Sequence, residues 1–425
     1  MTTTRDPSTD GPDSTAPDLC APRTYVSNAT RRLDVPDEIG HHLHHVDRRQ
    51  RVSVPFGRDD GTVAVREGYR VRHDRVRGPC LGPHRYQAGL DGDEFAGLAV
   101  AASISAAIAD VPFGGAAGGV AIDPSELSRE ERARLTRSYA TRVCGVGTSD
   151  DVLLPGAGAD ERTVARIADA VSGSAGAPER GAVVGKPPAL GGVRSVEPAG
   201  GYGAAHATRD VLETDLGRPL TEATIAVSGA TVVGDTTARL LDFWDGTVVA
   251  MSGERVGLAT DDGGLDPSVA ASHLQRPKTA PSYEGGEVTG TENVLERDAD
   301  ALVVASPAAT VTEANAEAIR ADLVVEASVG AVTPGGAQVL GERDVPVVPA
   351  ALASTGRMIA ASLEWHRSVG RDRSSDARVA TEFEYAVTSA IDDVRERRER
   401  CGLRWREAAY GVGCSRIAAA HEVVA

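Results

Sequence analysis

Thr224-Ile-Ala-Val-Ser-Gly-Ala-Thr-Val-Val-Gly234 reads as a buried strand that runs through a glycine turn into a helix. A second apolar run, Thr247-Val-Val-Ala-Met251, follows at the distance a strand–helix–strand crossover requires. Two more runs, at 301–305 and 322–326, continue the pattern. Strands alternating with helical stretches predict a parallel α/β sheet in the second half of the chain.

Upstream the pattern changes. Alternation in Val52-Ser-Val-Pro and Gly68-Tyr-Arg-Val-Arg predicts strands, with a turn at Asp59-Asp60-Gly61. A helix is expected over roughly 91–109, followed by a glycine-rich loop, Pro112-Phe-Gly-Gly-Ala-Ala-Gly-Gly119, and by a helix with Ser128 at its N-cap. The Gly/Pro-dense stretch at 175–205 predicts a domain boundary. The expected division is a disordered tail over 1–24, an N-terminal α/β domain over 25–195, a second α/β domain over 196–370, and charged helices over 371–425. The charge run Arg395–Arg400 reads as a solvated helix face.

The 425 residues carry 45 Lys plus Arg against 61 Asp plus Glu, a net charge of −16. That sign excludes a nucleic-acid backbone or an anionic membrane surface as the main partner. Lys186 and Lys278 are the only lysines, so chemistry that needs an amine has two candidates. An acidic, lysine-poor chain suits a high-salt cytoplasm, and GC-rich codon usage accounts for the same bias. Five scattered cysteines without a C-x-x-C pair read as reduced thiols in a cytoplasmic protein. The longest apolar stretch, Leu98 to Ala109, is too short to span a bilayer.

Gly68-Tyr-Arg, Arg77-Gly-Pro, Arg85-Tyr, Asp110-Val-Pro-Phe-Gly-Gly115 and Gly118-Gly119 resemble motifs of the Glu/Leu/Phe/Val dehydrogenase family. Gly185-Lys-Pro, Asn315-Ala, Glu364-Trp365 and Ala408-Ala-Tyr410 follow in the family's order, with the glutamate dehydrogenase branch most similar. The resemblance implies a two-domain fold: an N-terminal substrate and assembly domain over 25–195, a Rossmann-type dinucleotide-binding domain over 196–370, C-terminal helices over 371–425 that pack back on the first domain, and subunits that form hexamers. It implies NAD(P)-dependent oxidative deamination of an L-amino acid, with NAD or NADP bound in the second domain.

The same resemblance exposes what this chain lacks. Leu81 stands for the first substrate lysine, Ser105 for the second, and Ala361 for the serine that contacts substrate. Ala117 stands for the catalytic lysine and Gly156 for the catalytic aspartate. No intact catalytic or substrate-binding set remains, although deamination needs countercharges, a low-pKa amine and an acid/base carboxylate. Lys186 belongs to its own Gly-Lys-Pro motif and cannot stand in.

The dinucleotide turn keeps Gly229 and Gly234, while Thr231 replaces the middle glycine at the approach of the pyrophosphate. Gly253 replaces the acidic residue that takes the ribose hydroxyls, with Glu254 beside it as a weak substitute. Gly200 and Val329 replace a threonine and an asparagine near the nicotinamide, and Arg357 replaces a glycine near the substrate. Arg357 either pairs with a different acidic ligand or fills the emptied pocket.

His41 and His45 have the i, i+4 spacing of metal ligands, but no carboxylate in the tract completes a set, so they read as a solvated helix face and no metal is expected. Arg70, Arg72, Arg75 and Arg77 alternate in a strand-like way and could face an anion; the resemblance favours the reading as packing and assembly charges. The expectation is a homologue of glutamate dehydrogenase that has lost catalysis and acts as a silent or regulatory subunit. It would assemble with itself or with an active dehydrogenase. The alternatives are an amino-acid dehydrogenase of altered specificity and a sensor that binds a metabolite in a neutral cleft.

Overall fold

The computed structural model describes residues 18–425 except 34, 194–195, 197, 277–281, 308 and 371–375. Two sheets organise the chain. The first contains β1 (Arg48–Gly57), β2 (Val63–Asp74), β3 (Cys80–Tyr86), β4 (Gly114–Val120) and β5 (Asp151–Pro155) in the order β1-β2-β4-β3-β5. β1 and β2 form an antiparallel hairpin around the expected turn, β2 pairs antiparallel with β4, and β4, β3 and β5 run parallel.

The second sheet contains β6 (Thr224–Ser228), β7 (Thr247–Ser252), β8 (Gly257–Ala259), β9 (Glu287–Thr289), β10 (Ala301–Val304), β11 (Leu323–Glu326) and β12 (Val347–Val348). Its order is β12-β11-β10-β6-β7-β8-β9, parallel from β12 to β7 with an antiparallel edge. The chain leaves β6 toward β7 on one side and returns to β10 on the other. That reversal opens a crevice beyond the C-terminal ends of β6 and β10.

Around the first sheet lie α1 (Ala21–Leu33), α2 (Asp37–His44), α3 (Gly92–Ile108), α4 (Arg129–Ala140) and α5 (Glu161–Ala175). Around the second lie α6 (Ala199–Asp210), α7 (Val232–Phe243), α8 (Pro267–Leu274), α9 (Thr291–Leu295), α10 (Pro334–Glu342) and α11 (Ala350–Ala353). α12 (Thr355–Gly370), α13 (Asp376–Cys401) and α14 (Trp405–Val424) complete the chain. Capping boxes at Asp91 and Ser128 start α3 and α4 as their side chains require. α14 returns to the first sheet's helices: Arg416 donates to the carbonyls of Ala107 and Ile108 at 3.0 and 2.7 Å. One apolar cluster runs from Leu81 and Val152 through α3 and α14 to Ile225 and Val303, so the two sheets share a core.

Three expectations change. The glycine-rich segment is a strand, not a loop: β4 is entirely buried at the centre of its sheet. Glycine is needed there because the backbone of α3 presses on it; a Cβ at Gly115 would lie 2.2 Å from the Ser103 nitrogen. Within the stretch expected to be a disordered tail, Leu19 is buried and α1 begins at Ala21; residues 1–17 lie outside the described ones. The charge run does not face solvent throughout. Arg395 is buried and pairs with Asp210, Asp215 and Asp392, and Arg398 pairs with Asp215.

Candidate functional site

The cleft side of the first sheet is built from its three parallel strands. Leu81 on β3 and Ala117 on β4 are both fully enclosed. Ala117 pairs across the sheet with Val71 and belongs to an apolar cluster with Tyr69, Phe95 and Ala99. Val329, from the loop after β11, packs against the same cluster. Two positions that the resemblance assigns to lysine and asparagine therefore join one apolar contact between the two halves. Ser105 is buried within α3, and Ala361 is enclosed on α12.

Gly156 follows β5 and donates its N–H to the carbonyl of His84 at 3.0 Å. A Cβ there would lie 2.9 Å from the His84 oxygen, the Cγ of Arg85 and the Cβ of Pro83. Arg85 thus occupies the space beside the position assigned to the catalytic carboxylate. Its Nε is enclosed and has no hydrogen-bond partner among the described residues. Burial, and then the charge of Arg357, pull its pKa down to about 10. Arg357 rises from the first turn of α12 and lies over Gly200, its Nη2 3.4 Å from where a Cβ would stand. Arg85 was hidden in the sequence because its motif reads as intact and only its neighbours differ.

The lysines are no reserve of catalytic amines. Lys186 Nζ contacts Glu364 Oε1 at 2.7 Å, the Val183 carbonyl at 2.6 Å and Ser368 Oγ at 3.2 Å, with both charged side chains buried. Glu364 also accepts the backbone N–H groups of Lys186 and Val193, so the connection between the sheets is pinned to α12. Trp365 extends this clamp by donating to the Thr148 carbonyl at 3.1 Å and meeting Phe113 edge-on. Lys278 lies outside the described residues.

In the crevice of the second sheet, Gly229 has φ +102°, and a Cβ would meet the Ser306 nitrogen at 2.6 Å. Gly234 passes the Gly229 carbonyl so closely that a Cβ would lie 2.0 Å from its oxygen. Both glycines keep the tight turn and the helix–strand contact. Thr231 caps α7: its hydroxyl accepts from the Gly234 N–H at 3.2 Å and donates to the Ala305 carbonyl at 3.2 Å. An N–H that could have faced a phosphate is thus already used. Gln275, after α8, donates to the Ala230 carbonyl at 3.0 Å. A side chain at Gly253 would press on the Leu274 carbonyl at 3.2 Å, while Glu254 is exposed. The turn retains its dinucleotide geometry, but its phosphate face is crowded.

The remaining candidates take structural places. Arg70 is fully buried on Asp151, Arg72 contacts Asp150 and the Cys144 carbonyl, Arg75 pairs with Asp150 and Arg77 with Asp110. The rings of His41 and His45 lie 4.2 Å apart, and His42 stacks on His421. Among the described residues no group of three or more His, Cys, Asp or Glu is placed to hold a metal ion. None of their helices is long and apolar enough to cross a membrane.

A parallel β4-β3-β5 layer, a doubly wound second sheet and a Gly-Lys-Pro segment clamped by Glu364 define the fold of the amino-acid dehydrogenases. Residues 191–424 match the Glutamate/Leucine/Phenylalanine/Valine dehydrogenase family, and residues 47–173 match that family's dimerisation domain. The chain is 40% identical over 418 residues to glutamate dehydrogenase B of Halobacterium salinarum, covering 98% of this chain and 96% of the relative. It is also 40% identical to the NAD-specific glutamate dehydrogenase A of Halobacterium salinarum, over 96% and 94% of the two chains. Among solved structures, the hetero-hexameric, leucine-bound glutamate dehydrogenase of Thermus thermophilus superposes with TM-score 0.87 at 33% identity, over 96% of this chain and 97% of that one. The chain belongs to the Glu/Leu/Phe/Val dehydrogenase family and is closest to its glutamate dehydrogenases.

Proposed function

We propose that this chain has lost the family's NAD(P)-dependent deamination of L-glutamate to 2-oxoglutarate and ammonia, and serves as a silent or regulatory subunit. The observation that carries this is the joint state of the working positions. Leu81, Ser105, Ala117, Gly156 and Ala361 carry no ionisable group, and Lys186, the one lysine in the described residues, is held by Glu364. Water activation needs a neutral amine near the reacting carbon, and proton transfer needs a carboxylate within hydrogen-bond reach. Losing one such group costs about 10²–10⁴ in rate, and here both are missing.

The state of the core favours a maintained protein over a decaying one. Removing one partner of a buried charge set leaves an unpaired charge worth about 3–5 kcal/mol, whereas removing the whole set is neutral or stabilising. The lysine and asparagine positions went together, and Ala117 and Val329 now share apolar packing.

The relatives include NAD-specific and NADP-specific glutamate dehydrogenases, so either nucleotide fits the family. Thr231 and Gln275 weigh against tight binding of either. The dimerisation domain and the hetero-hexameric Thermus structure favour assembly into a hexamer, alone or with an active homologue. The acidic excess and the Halobacterium relatives favour a cytoplasm of high salt. Co-expression with a homologous glutamate dehydrogenase tests the assembly: a mixed hexamer with altered turnover is expected, separate hexamers would refute the regulatory role toward that homologue, and a monomer would refute assembly altogether. An enzyme of altered specificity has no observation in its favour.

A further inference from the structure

A cavity of about 790 Å3 lies away from the cleft, between α1, α10, the segment leading into β12 and the turn from α13 to α14. Val345 and Pro346 border it at the N-terminal end of the edge strand β12, whereas the crevice of the second sheet opens beyond the C-terminal ends of β6 and β10. None of the positions assigned to substrate, catalysis or nucleotide lines it. Much of its wall is apolar, with Ala29 from α1, Ala337 from α10, Val347 from β12, and Leu403 and Tyr410 from the C-terminal helices. Five arginines line it against two carboxylates, Asp344 and Glu407, in a chain whose net charge is −16. Three of the arginines are neutralised: Arg32 by Glu407 at 2.9 Å, Arg406 by Glu326 at 3.1 Å, and Arg398 by Asp215. The other two have no carboxylate partner among the described residues. Arg31 donates to the Ser27 carbonyl at 3.2 Å and to Asn28 Oδ1 at 3.1 Å, and Arg404 donates to the Gly341 carbonyl at 3.1 Å. Both are exposed, on α1 and at the start of α14, so they border the open side of the cavity. Asp344, also exposed, offsets one of them and leaves a positive surplus. The wall also holds donors without acceptors. Nε1 of Trp405, a residue only 3% exposed, and Nε of Arg406 are enclosed with no hydrogen-bond partner among the described residues.

We propose that this cavity binds an organic acid with an apolar body, its carboxylate held at the open side by Arg31 and Arg404 and its body enclosed by α1, α10 and Leu403. Small-molecule sites are concavities of about 300–1,000 Å3, mostly apolar, with a few polar groups that fix orientation. This cavity has that size and that division of its lining. A guanidinium presents parallel N–H groups that match the two oxygens of a carboxylate, and it stays charged throughout the neutral range. A small hydrophilic anion would leave the apolar walls wet, and a neutral apolar molecule would leave the surplus cation unmet. Only a molecule with both parts satisfies both surfaces. Enclosed donors such as those of Trp405 and Arg406 are rare in native proteins unless water or a ligand lies beside them. The site is independent of whether the cleft deaminates glutamate, because the two share no residue.

Isothermal titration of the pure full-length chain with octanoate, octanol and acetate, all at one KCl concentration so that chloride competes equally, tests the site. Octanoate is expected to bind once per chain, and octanol and acetate at least about 10-fold more weakly, the worth of a charge-assisted hydrogen bond or of a few buried methylenes. Arg404→Gln is expected to weaken octanoate by about 10-fold or more, and Ala337→Phe, which fills the cavity, to abolish its binding. Arg404 is exposed, so its variant decides the matter even if Ala337→Phe does not fold; thermal unfolding reports which variants are intact. Octanol binding as tightly as octanoate means an apolar cavity without acid recognition, and acetate binding as tightly means an adventitious anion only; either overturns the site. No heat with octanoate at millimolar concentration, or unchanged affinity in Arg404→Gln, overturns it as well.

Discussion

The ammonium of Lys186 lies 2.7 Å from Glu364 Oε1, 178 residues further along the chain, and neither side chain reaches solvent. This pair joins the segment between the two sheets to α12 and takes the described lysine out of the cleft's chemistry. Removing one partner strands a buried charge, so Lys186→Met is expected to destabilise the chain by about 3–5 kcal/mol. Lys186→Met/Glu364→Leu is expected to recover much of that loss. Denaturant unfolding followed by tryptophan fluorescence measures both.

Thr231 caps α7 and spends the Gly234 N–H in doing so. Thr231→Gly removes the β-branched side chain and frees that donor, while glycine at an N-cap costs only a few tenths of a kcal/mol. NADH binding, read by nicotinamide fluorescence, is expected to tighten with little change in the unfolding midpoint. Unchanged binding would mean that Gln275, or the absent ribose carboxylate, is the real obstruction.

Gly156 has no room for a side chain, because a Cβ would sit 2.9 Å from the His84 carbonyl oxygen. Gly156→Asp is therefore expected to destabilise the chain and, combined with Ala117→Lys, to yield no glutamate turnover. The lost aspartate cannot be restored alone, since Arg85, Pro83 and the His84 carbonyl crowd the position. Thermal unfolding and NAD(P) reduction by the single and double variants check this.

Burial, with the charge of Arg70, pushes His84 down to about 3, and both its ring nitrogens lack hydrogen-bond partners among the described residues. The folded chain favours neutral imidazole, so this group costs nothing above about pH 6.5. Below that the unfolded chain takes up a proton the folded chain refuses. Stability then falls between about pH 6.5 and 3, by about 1.4 kcal/mol per unit at most from this group. His206, pushed down to about 4 mainly by burial, acts in the same direction over a narrower range. His84→Leu is expected to flatten the acid limb of a stability–pH curve; an unchanged limb would assign it to other groups.

Much of this was legible in the residues. The apolar runs of the second sheet, the turn at Asp59-Asp60-Gly61 and the cap at Ser128 follow from local chemistry, and the structure has them where the sequence places them. β4 was not legible as a strand, because Gly-Gly-Ala-Ala-Gly-Gly has no alternation; its conformation is imposed by α3 and by the neighbouring strands. Arg395 looked like one charge in a solvated run because its partners, Asp210 and Asp215, lie about 180 residues away. The emptied positions were visible by resemblance. Where the arginines lie was not: only the folded chain shows Arg85 beside Gly156 and Arg357 over Gly200.

Glutamate-dependent reduction of NAD and NADP by the pure chain, in molar KCl and beside an active homologue under the same conditions, bears most directly on catalytic silence. No reduction above the protein-free rate is expected with either nucleotide. Turnover by the unmodified chain would mean that groups other than Ala117 and Gly156 activate water and move the proton, and the assignment as a silent subunit would fall.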